Sequence, residues 1–123
     1  MQIIISNRSK KPFYEQIIEQ IKSYILSGEL KEGTTIPSMR MLAKDLEISV
    51  ITTKRAYEEL EKEGLIYSIV GKGSFVAEQN MELMKERKLK VIEEQLSAVI
   101  INSKEIGLPL DELQELLTIL YEE

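Results

Sequence analysis

The stretch from Pro37 to Gly64, PSMRMLAKDLEISVITTKRAYEELEKEG, constrains this chain more than any other part of it. Apolar Leu42, Ala43, Leu46, Ile48, Ala56, Tyr57 and Leu60 recur there at helical spacing, interrupted at Glu47-Ile48-Ser49. The pattern predicts a short amphipathic helix up to Leu46 and a second from about Val50 to Glu63, with Arg40, Lys44, Lys54 and Arg55 free to face outward. Two short helices across a tight turn are a helix-turn-helix candidate. Such a unit presents the start of its second helix to the major groove of DNA.

The flanking segments supply what a helix pair needs to close a core. Pro12 suits the first turn of a helix running to about Ser27, whose stripe is Tyr14, Ile17, Ile18, Ile21 and Ile25 with Leu26 beside it. Gly28 suits a left-handed cap. Gly33 marks a turn, and Thr34-Thr35-Ile36 can supply a small strand. Ser38 stands near the start of the second helix, Ser49 is the expected N-cap of the third, and Gly64 stops it. Leu65–Val76, LIYSIVGKGSFV, reads as two strands around Gly71-Lys72-Gly73, a hairpin placed where a winged helix carries its wing. That hairpin covers the open side of a three-helix core, a role compatible with contacting DNA. Ahead of all this, QIIIS at residues 2–6 has weak strand preference, expected to pair at a sheet edge or pack on a second domain. Asn7–Lys11 is a polar connection with Arg8, Lys10 and Lys11, equally readable as a solvated loop.

Charge must be counted by segment. The net charge of −5 taken whole argues against a nucleic-acid partner. Residues 1–76, however, carry 11 Lys+Arg against 10 Asp+Glu, and residues 77–123 carry 5 against 11. The acidic excess lies in the tail, so the first part can still turn a basic face to phosphates. With no Cys and no His, the chain lacks thiol nucleophiles, thiolate or imidazole metal ligands and imidazole bases, and no cofactor or metal is expected. A P-loop and a dinucleotide fingerprint are both absent, and Glu58 with Glu61 is an ordinary solvated helix pair, so no enzyme is expected. There is neither a secretory leader pattern nor an apolar run of membrane-spanning length, which leads to the expectation of a cytoplasmic protein with no membrane partner.

The composition changes at Ala77–Asn80, giving an expected division into a DNA-binding domain over 1–76 and a helical tail over 77–123. The tail reads as a helix from Met81 to about Ser103, ended by Gly107, and another from about Pro109 to Tyr121. Met84, Ile92, Leu96 and Val99 on the first, and Leu113, Leu116, Leu117 and Leu120 on the second, are the expected dimerisation residues. Two helices enclose too little core to stand alone, and the same pair in a second subunit is the simplest partner.

Ten residues are candidates for meeting double-stranded DNA: Ser38, Arg40, Ser49, Val50, Ile51, Thr52, Lys54, Arg55, Lys72 and Gly73. The first turn of a recognition helix reads base edges. Ser49 can cap that helix and leave N–H groups near phosphate. Val50 and Ile51 suit thymine methyls, or alternatively a helix corner or subunit contact. Thr52 can donate to base or phosphate, while Thr53 is expected to turn inward. Arg55 suits a bidentate base contact or a phosphate, and Lys54 a phosphate. Arg40 suits phosphate or a base edge, or a surface pair with Asp45 or Glu47. Lys72 sits between glycines that permit close approach to a groove.

Pro12, Tyr14, Gln16 and Ile17, then Gly28 and Leu30, then Pro37, Ser38 and Arg40, then the run Ala56–Ile66 and finally Gly71-Lys72-Gly73-Ser74-Phe75-Val76 follow one another in order between Lys11 and Ala77. That block resembles the N-terminal winged helix-turn-helix domain of the GntR family of bacterial transcription regulators. The resemblance implies a mainly α fold, a three-helix core with a β-hairpin wing followed by a two-helix tail. It also implies a homodimeric repressor or activator on a short inverted-repeat operator. Arg40, Thr52, Arg55 and Gly73 match positions that contact DNA in that family, with Ser38 and Lys72 alongside. Two departures stand out: Val50-Ile51 replaces a frequent Arg-Asn, and Ile69-Val70 in the wing a frequent Arg-Arg. Only 47 residues follow Val76, and a tail of this size looks like the YtrA subfamily, which implies dimerisation through the tail and leaves little room for an enclosed metabolite pocket. No effector is implied. The competing expectation is a winged-helix protein-interaction module, favoured by the acidic Glu58, Glu59, Glu61 and Glu63 on the same helix as Arg55.

Overall fold

The computed structural model describes residues 1–123. Its elements are α1 (Phe13–Ser27), β1 (Thr35–Ile36), α2 (Met39–Leu46), α3 (Val50–Lys62), β2 (Ile66–Ile69), β3 (Gly73–Val76), α4 (Met81–Glu105) and α5 (Leu110–Tyr121). The chain divides into two compact units, Met1–Met81 and Glu82–Glu123. Mainly α, it is a winged helix-turn-helix with a three-helix core and a hairpin wing, followed by two helices.

In the first unit the core forms where the helical stripes converge. Ile17, Ile21 and Ile25 from α1, Leu42 and Ala43 from α2, and Ala56, Tyr57 and Leu60 from α3 are buried, joined by Ile36, Leu65, Ile66 and Val76 from the sheet and its approach. Each large aliphatic side chain so enclosed contributes about 1.5–3 kcal/mol. Tyr14 and Ile18, expected in the same stripe, are only half-buried because they sit at its margin. The Tyr57 hydroxyl donates to the Pro37 carbonyl at 2.5 Å, fastening α3 to the segment that leads into α2.

Local chemistry sets the ends. Gly28 takes φ 86° and its N–H bonds to Ile25 O, closing α1 as its lack of a Cβ allows. The Ser38 and Ser49 side chains accept from Met41 N and Thr52 N at the starts of α2 and α3. Between them Glu47 adopts φ 57°, ψ 41°, a left-handed conformation usually left to Gly or Asn.

The sheet has the order β1-β3-β2, all antiparallel. Ile66 pairs with Val76 and Ile69 with Gly73, leaving Val70-Gly71-Lys72 as the connection, closed by Lys72 N to Ile69 O at 2.9 Å. Gly71 has φ 80° at the third position of that turn, which a side chain would strain.

The amino-terminal segment departs from expectation. QIIIS is not a strand and lies on no sheet edge. It runs along α1, where Tyr24, Gln20 and Gln16, one per helical turn, act as a substitute strand. The Tyr24 hydroxyl donates to Gln2 O at 2.6 Å and accepts from Gln2 N at 3.2 Å. Gln20 bonds Ile4 N and O at 2.8 and 2.7 Å, and Gln16 bonds Ser6 N and O at 2.9 and 3.0 Å. Ile3 is buried. The apolar run is a real packing signal, but helix side chains satisfy its backbone.

In the second unit, α4 ends with Leu108 N bonded to Ser103 O and Gly107 at φ 68°. Ser103 is buried, its hydroxyl donating to Val99 O at 2.8 Å. Ile92, Leu96, Val99, Leu116, Leu117 and Leu120 are exposed, and Met84 and Leu113 half-buried. Leu89, Ile101, Leu110 and Ile119 are also exposed, so apolar side chains show on more than one face of these helices. No helix is long and apolar enough to cross a membrane.

Candidate nucleic-acid interface

Helix α3 buries Thr53, Ala56, Tyr57 and Leu60. Its opposite side, one helical period away, carries Ile51, Arg55, Glu58 and Lys62, all exposed. Ile51 is 82% exposed and Val50 42%, so neither supports the corner between the helices. Thr53 turns inward as expected, with its hydroxyl donating to Ser49 O at 3.2 Å. The Ser49 hydroxyl, besides capping the helix, donates to Thr52 Oγ1 at 2.7 Å. Thr52 therefore keeps its own hydroxyl hydrogen to offer elsewhere.

The charged candidates differ in how firmly they are held. Lys54 lies 3.8 Å from Glu58 on the next turn, an exposed pair that restrains it little. The Arg55 guanidinium stacks over the Tyr14 ring of α1, 3.9 Å from the centroid. Arg40 is exposed on α2 and forms no ion pair, so the surface pair with Asp45 or Glu47 does not occur. Lys72 and Gly73 are exposed at the wing, where Val70 is completely open to solvent. Tyr67 and Phe75 stack across the hairpin at 5.4 Å between ring centroids, which stiffens it. The two departures from basic residues, Val50-Ile51 and Ile69-Val70, thus present apolar surface at the helix start and wing tip.

Acidic residues on α3 are mostly engaged within the unit. Glu58 faces Lys54, Glu63 pairs with Lys22 of α1 at 3.1 Å, and Glu61 accepts from Ser68 of the wing, whose hydroxyl also meets that of Ser74 at 2.8 Å. The run that favoured a protein-interaction module is thereby used to tie α3 to α1 and the wing.

Periodicity could not reveal the Tyr14 platform, because Tyr14 and Arg55 belong to different helices and only the packing of α1 on α3 brings them together. An apolar crevice of 250 Å³ between the end of α1 and β3, lined by Ile25, Leu30, Val76 and Met81 among others, is smaller than the usual small-molecule site. No group of His, Cys, Asp and Glu is arranged to hold a metal ion.

Residues 13–76 match the family described as bacterial regulatory proteins, gntR family. The HTH-type transcriptional repressor YtrA of Bacillus subtilis (strain 168) is 40% identical over 113 residues, covering 92% of this chain and 87% of that protein. A GntR family transcriptional regulator from Listeria monocytogenes superimposes with a TM-score of 0.73 at 25% identity, over 93% of this chain and 97% of that one. The structure of AraR(DBD) in complex with operator ORE1 matches 63% of this chain and 94% of its own, with a TM-score of 0.53 and 32% identity.

Proposed function

The chain belongs to the gntR family of bacterial regulatory proteins, and from that premise we propose that it is a cytoplasmic homodimeric repressor that occupies an inverted-repeat operator. It is a sequence-specific DNA-binding transcriptional regulator and not an enzyme. In the proposed arrangement residues 1–76 bind DNA and residues 77–123 join two subunits. The observation that carries the DNA contact is the capped first turn of α3, with Val50, Ile51, Lys54 and Arg55 all exposed beside a wing that ends in Lys72.

Roles follow from chemistry. Arg55 forms a base-edge contact, and Val50 and Ile51 pack on thymine methyls, the one feature of a base that aliphatic side chains recognise. Thr52 donates its free hydroxyl hydrogen. Lys54, Arg40 and Lys72 hold phosphates, with Ser38, Ser49 and Gly73 bringing backbone N–H groups near them. Met84, Ile92, Leu96, Val99, Leu113, Leu116, Leu117 and Leu120 form the subunit seam, supported by the apolar surface that these two helices leave open. Repression follows from competition with the transcription machinery for the same DNA. The repressor YtrA, similar along most of its length, supports that sign of regulation.

Selection of bound duplexes from a random pool at near-physiological salt tests this. The expected product is an inverted repeat bound by two chains. Arg55→Ala is expected to cost about 1–3 kcal/mol and relax preference at one base position. Equal weakening on every duplex would make Arg55 a phosphate contact, and no enrichment at all would sink the operator assignment.

A further inference from the structure

We propose that the amino-terminal turn Asn7–Lys11 is a second phosphate-binding element, in which Arg8 and Lys10 grip the DNA backbone flanking the bases read by α3. The inference rests on the reading of α3 as the DNA-contacting helix.

Three observations carry it. First, the turn is built rather than loose. Gln16, a buried polar residue, donates through one amide nitrogen to both Ser6 O at 3.0 Å and Lys11 O at 2.9 Å, so the two ends of the turn close on a single atom. Within it the Ser6 hydroxyl accepts from Arg8 N, and the Ser9 hydroxyl from Lys11 N, each at 3.2 Å.

Second, the cations are unequally engaged. Lys11 pairs with Glu19 at 2.5 Å, and that carboxylate holds the ammonium pKa above its ordinary value. Arg8 and Lys10 form no ion pair and are exposed, leaving two charges for an outside anion. Glu15, the nearby acid, is met by the Tyr14 hydroxyl at 3.3 Å.

Third, the turn is beside α3. It runs directly into α1, and Tyr14 in the first turn of α1 lies under the Arg55 guanidinium. Lys10 is four residues from Tyr14, a chain distance of at most about 14 Å. A ligand that meets Arg55 therefore brings its neighbouring groups within reach of Lys10, and duplex DNA offers repeated phosphates over that span.

The test uses the full chain with Arg8→Ala and Lys10→Ala together, titrated against the selected duplex and a scrambled one over a range of salt. The expected result is that the slope of log affinity against log salt becomes shallower by about two, since each phosphate that the protein no longer neutralises changes it by roughly 0.9. Binding weakens equally on both duplexes, base preference stays the same and the melting temperature is unchanged. Arg8→Lys with Lys10→Arg is expected to restore the slope. An unchanged slope with intact wild-type binding overturns this inference alone, as does a change in base preference without a change in slope. Wild-type protein that selects no duplex overturns the reading of α3 on which it rests.

Discussion

The Arg55 guanidinium lies 3.9 Å from the centroid of the Tyr14 ring, which ties the outward face of α3 to the first turn of α1. A stacked guanidinium keeps its hydrogen-bonding edge free while losing rotational freedom. Replacing Tyr14 by Leu should therefore weaken operator binding about 2- to 5-fold, the equivalent of an exposed cation–π contact of roughly 0.5–1 kcal/mol. Tyr14→Phe should bind like the natural chain. Equal affinity for the Leu variant in a fluorescence titration would show that Arg55 reaches its bound geometry without the ring.

Glu47 holds φ 57° in the turn between α2 and α3. A residue with a Cβ costs roughly 1–2 kcal/mol there relative to glycine. Glu47→Gly should raise unfolding stability by about 1 kcal/mol, part of the relief being offset by the greater freedom of glycine in the unfolded chain. Denaturant midpoints would measure it, and a drop in stability would mean that the carboxylate contributes more than the backbone costs.

Tyr57 is buried and donates to Pro37 O. Tyr57→Phe should cost about 1–3 kcal/mol because the carbonyl is left without its partner. Burial also pushes the phenol pKa upward from its ordinary 10.0. The folded chain then keeps a proton that the unfolded chain releases, so stability should fall as pH rises past about 10. The Phe variant should lack that one-proton contribution. Parallel stability curves for the two proteins between neutral and strongly alkaline pH would rule the assignment out.

Leu117 is 52% exposed on α5 and belongs to the proposed subunit seam. Placing Asp there would bury a charge on association, at a cost on the order of 3 kcal/mol or about 100-fold in dimer affinity. Sedimentation at micromolar concentration should show monomers, with the melting of the first unit unaltered. A dimer of undiminished strength would move the seam to another face of the tail.

Much of the fold is legible in the sequence because its signals are local. The apolar spacing around Ile17, Ile21 and Ile25, the caps at Ser38 and Ser49, and the glycines at 28, 64 and 71 each specify geometry within a few residues. QIIIS does not lie where its strand preference points, because an apolar β-prone run announces that it will be covered, not by what. Its partners are glutamine and tyrosine side chains on a helix, residues whose type alone points to no such pairing. The same limit applies to the site. The exposure of Val50, Ile51 and Lys54 follows from helical phase, whereas the Tyr14 platform and the Gln16 clasp exist only once α1 has docked. Glu47 gives no warning, since its conformation is dictated by the closure of the turn and not by its side chain.

Gln16, Gln20 and Tyr24 hold the backbone of Ser6, Ile4 and Gln2 and not their side chains. Spelling in that segment is therefore nearly free at the even positions, while its length is not. Inserting or deleting one residue would shift the alternation by half a period, turn Ile3 out into water and slide the following basic turn along the helix. The opening of this chain should accumulate substitutions far more readily than gaps, behaving as a ruler whose markings can be rewritten but whose length must stay the same.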